Sequence, residues 1–244
     1  MSDRAALYEQ LRKEISEFVS ELDPAALEKP APATPGWNVK DIVGHLAADA
    51  TCAIAGDFPA EFFAAVGDSD VIGVLNDWTG RQVEERKDSS LQELLDEWQI
   101  SGDELVEMMR GEKPWPDVML FFVDRVLVTD EAVHQQDIFG ALGVNRNRDG
   151  EPIRQALRTF SAGVALRLGS TDLAPLKIDF GEDSYTHGEG EPGATVRATP
   201  FELFRALSGR RNPEQIAAYD WDGDADPYIP YFYPYGIRED ALVE

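Results

Sequence analysis

The chain of 244 residues holds one cysteine, Cys52, and three histidines. A single thiol excludes an internal disulfide framework and any zinc site built from cysteines. Its setting, "DATCAIAG", reads as a helix interior, which makes Cys52 a small buried apolar group rather than a reactive thiol. Cations are also scarce: 22 Lys and Arg stand against 46 Asp and Glu, a net charge of −24. Nucleic acid and anionic membrane surfaces both demand clustered basic residues, so neither is an expected partner. The acids are spread along the chain and read as a solubilising surface. No apolar run is long enough to span a bilayer, and the amphipathic start "MSDRAALYEQLRKEI" has no signal core. The expectation is a cytoplasmic protein.

Several motifs are missing too. No GxSxG elbow supports an α/β-hydrolase. "HGEGEPG" is acidic and no Lys-Ser/Thr helix start follows it, so it is no phosphate cradle; His187 within it reads as an exposed loop histidine. "DWDGDAD", Asp220 to Asp226, lacks the downstream glutamate and flanking helices of a calcium loop.

What is present is helical periodicity. Leu7, Leu11, Ile15, Phe18, Val19 and Leu22 predict an amphipathic helix over 4–22. "DPAALEKPAPATPG" reads as a loop. Asn38 then caps a helix whose inner face is Val39, Ile42, Val43, Leu46 and Ala50. "GDFPAEFFAAVGDSD" is looser. Helices follow over 71–87 and 90–110, the second capped by Ser89 or Ser90, with Leu91, Leu94, Leu95, Trp98, Leu105 and Met108 inward. Another runs over 117–141, stopped by Gly143. The first 146 residues thus read as a helical bundle with short connections. The polar stretch "GVNRNRDGEP" marks a boundary. Residues 147–244 read as a small α+β domain: a helix over 152–168, strands in "LAPLKIDFG" and "GATVRAT", then helix, turn and short helix in "PFELFRALSGRRNPEQIAAY". The end, rich in Tyr and Pro, reads as a tail of little regular structure packed by its aromatics.

Two of the three histidines sit on helices beside acids. In "TDEAVHQQD", Asp130 precedes His134 by four residues and Glu131 precedes it by three. Both spacings put a carboxylate and an imidazole on one helical face. That mixture suits a divalent metal such as zinc, at about 2 Å from each donor. One face rarely supplies every ligand, and His45, mid-helix between Asp41 and Asp49, is the candidate for the remainder. The alternative is a solvated helix acid and a histidine that is merely hydrogen-bonded. Trp37, just before the cap, either packs to fix the start of the helix or walls a pocket.

Together, "PGWNVKDIVGHLA", "DEAVHQQDI" and "FELFRALSGRRNPEQIAAYDWDGD" resemble, in order, signatures of the mycothiol-dependent maleylpyruvate isomerase family of actinobacteria. The resemblance spans nearly the whole chain. It implies a fold of α plus α/β type: a DinB-like four-helix metal-binding bundle over 1–146, then a small sterol-carrier-like domain with an aromatic tail over 147–244. It implies a divalent metal, usually zinc, on His45, Asp130 and His134, with Glu131 as the rival acid. The family more often has Glu where this chain has Asp130, which is one methylene shorter. Glu131 projects about 100° round the helix. Asp137, three residues past His134, is placed to support a ligand from outside the coordination shell.

The resemblance also implies mycothiol as thiol cosubstrate. A divalent cation lowers a thiol's pKa, and three protein ligands leave a coordination position open. An isomerase would add the sulfur to a conjugated double bond, allow rotation and release it; an S-transferase would keep it. A metal-dependent hydrolase on the same bundle, and a non-catalytic binder of an apolar ligand, are the alternatives. An anionic substrate or thiol conjugate needs a cation in so acidic a protein, and Arg210, Arg211 and Arg238 are the candidates, Arg238 with a catalytic role as well. The expected partners are a small-molecule substrate and a thiol, in a monomer or homodimer.

Overall fold

The computed structural model describes residues 3–59, 71–117, 123–186 and 188–244, with the side chains of 71 and 72 undescribed. Most of the looser stretch after residue 57, the start of the helix expected from 117, and His187 lie outside them. The chain divides into two compact units, Met1–Val144 and Asn145–Glu244.

The first unit is helical. α1 (Arg4–Ser20) starts where the Asp3 side chain accepts from Ala6 N, and it buries Leu7, Leu11, Ile15 and Val19 on one stripe. α2 (Pro24–Leu27) is a single turn capped by Asp23. It lies inside the stretch read as loop. Proline at the first helical position after an aspartate cap is enough to start a turn, and four residues give no periodicity to read. α3 (Val39–Ala55) opens on a reciprocal capping box between Asn38 and Asp41, and Gly56 closes it in the left-handed conformation at φ 68°. α4 (Val71–Arg86) follows. α5 (Leu91–Met109) has a second box, Ser90 with Glu93, so Ser90 and not Ser89 is the cap. α6 (Val123–Leu142) ends at Gly143, φ 70°.

α3 packs on α4, α5 and α6, and α1 packs on α5 and α6. The central element is therefore α3, and most of its length is buried. Gly44 lies where it meets α4 and α5: a Cβ there would stand 3.6 Å from Arg86 Cβ and 3.8 Å from the Leu94 methyls, ordinary van der Waals contact. Thr51 of α3, Arg86 of α4 and Glu97 of α5 are tied together. Thr51 Oγ1 donates to Glu97 Oε1 at 2.8 Å, and Arg86 reaches the same carboxylate through Nε and Nη2. This fixes α4 against α3. No described helix is long and apolar enough to cross a membrane.

The second unit begins with α7 (Glu151–Leu168) and continues into a four-stranded sheet of order β2-β1-β3-β4. β1 is Leu176–Asp179, β2 Ser184–Thr186, β3 Ala194–Arg197 and β4 Asp220–Gly223. β1 and β3 run parallel, with Ile178 opposite Val196; the outer strands are antiparallel, Ile178 opposite Tyr185 and Val196 opposite Trp221. Between β3 and β4 lie α8 (Pro200–Leu207) and α9 (Pro213–Ala217). α8 packs on α7. Leu176, Ile178, Val196, Phe201, Phe204 and Leu207 form the core.

The two central strands fall where alternation predicts them. The edge strands do not show in the sequence. β2 has three residues and no buried one, and "DWDG" in β4 offers only Trp221 as an apolar side chain. Both are strands because a neighbour's backbone pairs with them, not because of their own pattern. The segment set aside as a poor calcium loop is thus in part an edge strand. The aromatic tail is also less irregular than expected: Ile229–Phe232 is a 3-10 turn, and Tyr228, Phe232, Tyr233 and Leu242 are buried.

Candidate metal centre

α3 and α6 carry the site. The capping box sets the register of α3 so that His45 faces inward two turns from its start, buried. One turn of α6 carries Asp130 and His134. Although 85 residues apart, His45 Nε2 and Asp130 Oδ2 approach to 3.2 Å, and His134 Nε2 lies 3.7 Å from Asp130 Oδ1. One donor atom from each of the three falls within 4.8 Å of the others, and among the described residues no other group of three or more His, Cys, Asp or Glu side chains does so. Donors about 2.1 Å from a tetrahedral ion sit on the order of 3.4 Å apart, so the two short separations match a metal's requirement. The imidazole rings meet edge to face, centroids 4.9 Å apart, and the half-buried Trp37 ring lies 5.0 Å from His45 and 6.1 Å from His134. Trp37 is therefore a wall over both imidazoles.

The ring nitrogens that face away from the group are also engaged. Asp137 is fully buried, and its Oδ2 lies 3.0 Å from His134 Nδ1, a close contact out of line for a hydrogen bond. On the other side, His45 Nδ1 lies 2.9 Å from Gln82 Oε1, and Gln82 Nε2 donates to Asp49 Oδ1 at 3.0 Å. An amide oxygen only accepts, so Nδ1 carries a proton whatever the charge of the ring, and Nε2 is the nitrogen turned to Asp130, which accepts its proton when the ring is charged. Asp49 Oδ2 stands 3.7 Å from the same Nε2. The sequence puts Asp49 one turn from His45 but gives no reason to look at Gln82, which lies on α4 with no spacing relation to either histidine.

Electrostatics agree with a cation site. Burial pushes the His45 pKa down, but Asp49 and Asp130 together outweigh it and raise it to about 9. Burial, and to a lesser degree Asp130, push Asp49 up to about 6 against the pull of His45. In the metal-free chain a proton on His45 thus stands in for the positive charge that the carboxylates call for. The sign for metal uptake follows. Binding through Nε2 removes that proton, so zinc uptake at pH 7.5 releases about one proton from His45, and fewer above the raised value. Calorimetric titration in two buffers of different ionisation heat at pH 7.5 and 9.5 measures this; equal proton release at both would contradict it. Folding responds oppositely. The raised value contributes stability in full below the unfolded pKa of about 6.5, and that contribution is lost as pH rises through about 9.

The other expected residues separate clearly. Glu131 turns away from the group. It is buried near Tyr8 and Arg12, with neither oxygen in an aligned hydrogen bond, and burial holds its pKa well above the usual range despite Arg12. Cys52 is half-buried, and burial pushes its thiol up to about 11, so it is no nucleophile at neutral pH. Arg210, Arg211 and Arg238 all belong to the second unit. Arg211 is clamped by Glu202, through Nε and Nη2, and by Glu244. Arg210 Nη1 donates to Ser208 O at 2.7 Å, and Arg238 Nε to Asp240 O at 3.0 Å.

Comparison with known proteins accords with this geometry. The sequence profile of the mycothiol maleylpyruvate isomerase N-terminal domain matches residues 8–139, a stretch that includes His45, Asp130 and His134. Two solved structures share the fold. One is the crystal structure of the mycothiol-dependent maleylpyruvate isomerase, at TM-score 0.51; the other is that of its mutant with one histidine replaced by alanine, at 0.54. Each is 14% identical, and each alignment covers 86% of this chain and 90% of the other. No curated protein matches. The profile takes in more than half the chain, and the chain belongs to the mycothiol maleylpyruvate isomerase N-terminal domain family.

Proposed function

We propose that the chain is a metal-dependent enzyme that uses mycothiol as cosubstrate to isomerise, or to transfer sulfur to, a small electrophilic molecule. The observation that carries the reading is the convergence of His45, Asp130 and His134 from two helices, inside the stretch that the family profile matches. These residues fit a divalent ion, with zinc preferred for its liking of mixed imidazole and carboxylate donors. When bound, such an ion lowers the pKa of a thiol and supplies a sulfur nucleophile at neutral pH.

The chain's own groups do the rest. His45 and His134 would present lone pairs, Asp130 would supply the negative charge, and Trp37 covers one side of the imidazole pair. Cys52 is excluded as a protein nucleophile, which fits a reaction whose nucleophile arrives with a cosubstrate. In the isomerase form, the thiol sulfur adds to the β-carbon of a conjugated carbonyl and the electron pair moves to the carbonyl oxygen. The former double bond then rotates, and the sulfur leaves as the double bond re-forms. Arg210 and Arg238 are our proposed partners for a substrate carboxylate, Arg238 with a catalytic share. Arg211 pairs with Glu202 and Glu244. We assign the first unit to the DinB-like bundles and the second to the sterol-carrier-like domains.

The test is a turnover assay with zinc-loaded protein and a cis-configured conjugated keto acid such as maleylpyruvate, with and without mycothiol. Loss of the cis isomer only when thiol and metal are both present supports the reading. Consumption without thiol points to water as nucleophile and overturns it.

A further inference from the structure

An imidazole that binds a metal through one nitrogen keeps a proton on the other, and the partner of that proton fixes the ring. For His134 a carboxylate stands beside Nδ1 on its own helix, Asp137 at 3.0 Å and out of line for a hydrogen bond. For His45 it comes from a different helix. Gln82 of α4 is 3% exposed, and its amide sits between two residues of α3, His45 and Asp49. Turning the amide over would aim its oxygen at the Asp49 carboxylate and its NH2 at the imidazole, losing the hydrogen bond to Asp49. The orientation is therefore set by Asp49, and Gln82 in turn sets the tautomer of His45. Its backbone is held as well: Arg86 Nη1 donates to Gln82 O at 3.1 Å, and the Arg86 guanidinium is clamped on Glu97 of α5.

We propose that Gln82 is a positioning residue of the metal centre, which with Asp49 behind it holds His45 as the Nδ1–H tautomer with Nε2 free for the ion. The proposal rests on the metal reading above. It makes α4, which supplies no ligand, a part of the site. It also explains why a neutral amide rather than a carboxylate stands there: beside Asp49, Asp130 and Asp137, an amide orients the ring without adding a fourth negative charge to a buried cluster.

The experiment compares the full chain with Gln82→Leu and Gln82→Glu. Leucine keeps most of the volume and removes both hydrogen bonds, whereas glutamate keeps an acceptor for His45. Zinc affinity is measured by competition with a chromophoric chelator. The His45 Nδ1–H proton is followed by NMR of zinc-loaded, 15N-histidine-labelled protein. We expect Gln82→Leu to bind zinc about 10- to 100-fold more weakly, the usual cost of losing such an outer partner, with the Nδ1–H signal lost to solvent exchange. Gln82→Glu is expected to bind at least as tightly as the unaltered chain and to keep the signal. Unchanged affinity in Gln82→Leu overturns the role. So does a Gln82→Glu variant as weak as Gln82→Leu, which would show a packing effect. If Gln82→Leu does not fold, Gln82→Glu and the unaltered chain still decide: a zinc-loaded chain with no protected Nδ1–H on His45 overturns the role. Failure of the unaltered chain to take up zinc is a different result and overturns the metal reading itself.

Discussion

Asp130→Ala should lose zinc affinity by more than the roughly 100-fold that marks the upper cost of an outer partner, while Asp130→Glu should keep it. The carboxylate lies between the two imidazoles, 3.2 Å from one nitrogen and 3.7 Å from the other through different oxygens. It is therefore the group that brings opposite charge to both ligand nitrogens at once. Alanine removes one of three ligands and leaves Asp49, 3.7 Å from His45 Nε2, as the carboxylate beside that nitrogen. Glutamate, the residue more frequent in the resembled family, reaches one methylene farther along the same helical face. The neighbouring Glu131 cannot substitute, because it is buried on another side of α6 among Tyr8 and Arg12. Glu131→Gln should accordingly leave zinc affinity within a few-fold of the unaltered chain. Chelator competition on all three variants checks the set; a Glu131→Gln loss as large as that of Asp130→Ala would reverse the assignment of the acid.

Trp98→Ala should lower the stability of the helical unit by about 3–5 kcal/mol, the range for removing a buried tryptophan. Trp98 is 0% exposed and among the largest fully buried side chains of the described residues. It lies on the inner stripe of α5 toward α1. Its Nε1 donates to Tyr8 OH at 3.2 Å, and its carbonyl accepts from Arg12 Nη1 at 3.3 Å. Truncation opens a cavity and also strips Tyr8 of its donor, so two penalties coincide. Ile100, two residues on and 73% exposed, is the control: Ile100→Ala should change stability by less than about 0.5 kcal/mol. Urea midpoints followed by helical circular dichroism distinguish them, and similar midpoints for both variants would contradict the packing account.

These two predictions draw on different amounts of sequence information. The inward face of α5 was readable from Leu94, Trp98, Leu105 and Met108 at helical spacing, although Leu91 and Leu95, read as inward too, are only half-buried. The cap at Asn38 was readable from its residue type, whereas Ser89 and Ser90 stood as alternatives until the box with Glu93 decided for Ser90. Such signals are local, and they are present before any tertiary contact forms. The pairing of Asp130 with His134 was local in the same sense. Its union with His45 was not: spacing shows only that each histidine sits on a helix, and the order of the motifs along the chain supplied the link. Gln82 lay beyond either kind of reading. A neutral amide on an amphipathic helix carries no sign that its end will meet a histidine 37 residues away. The edge strands β2 and β4 were hidden for a related reason, since the pattern that makes them strands belongs to β1 and β3. What the sequence showed least was the support around the ligands, because that support is made entirely of contacts between elements.

Elemental analysis of tag-free protein, after incubation with zinc and removal of the unbound ion, tests the central claim most directly. The account predicts about one ion per chain, as expected for a single site, retained on gel filtration and lost in His45→Ala and in His134→Ala. A chain that emerges free of metal while still folded would contradict it, and His45, Asp130 and His134 would then be a buried hydrogen-bonded cluster and nothing more.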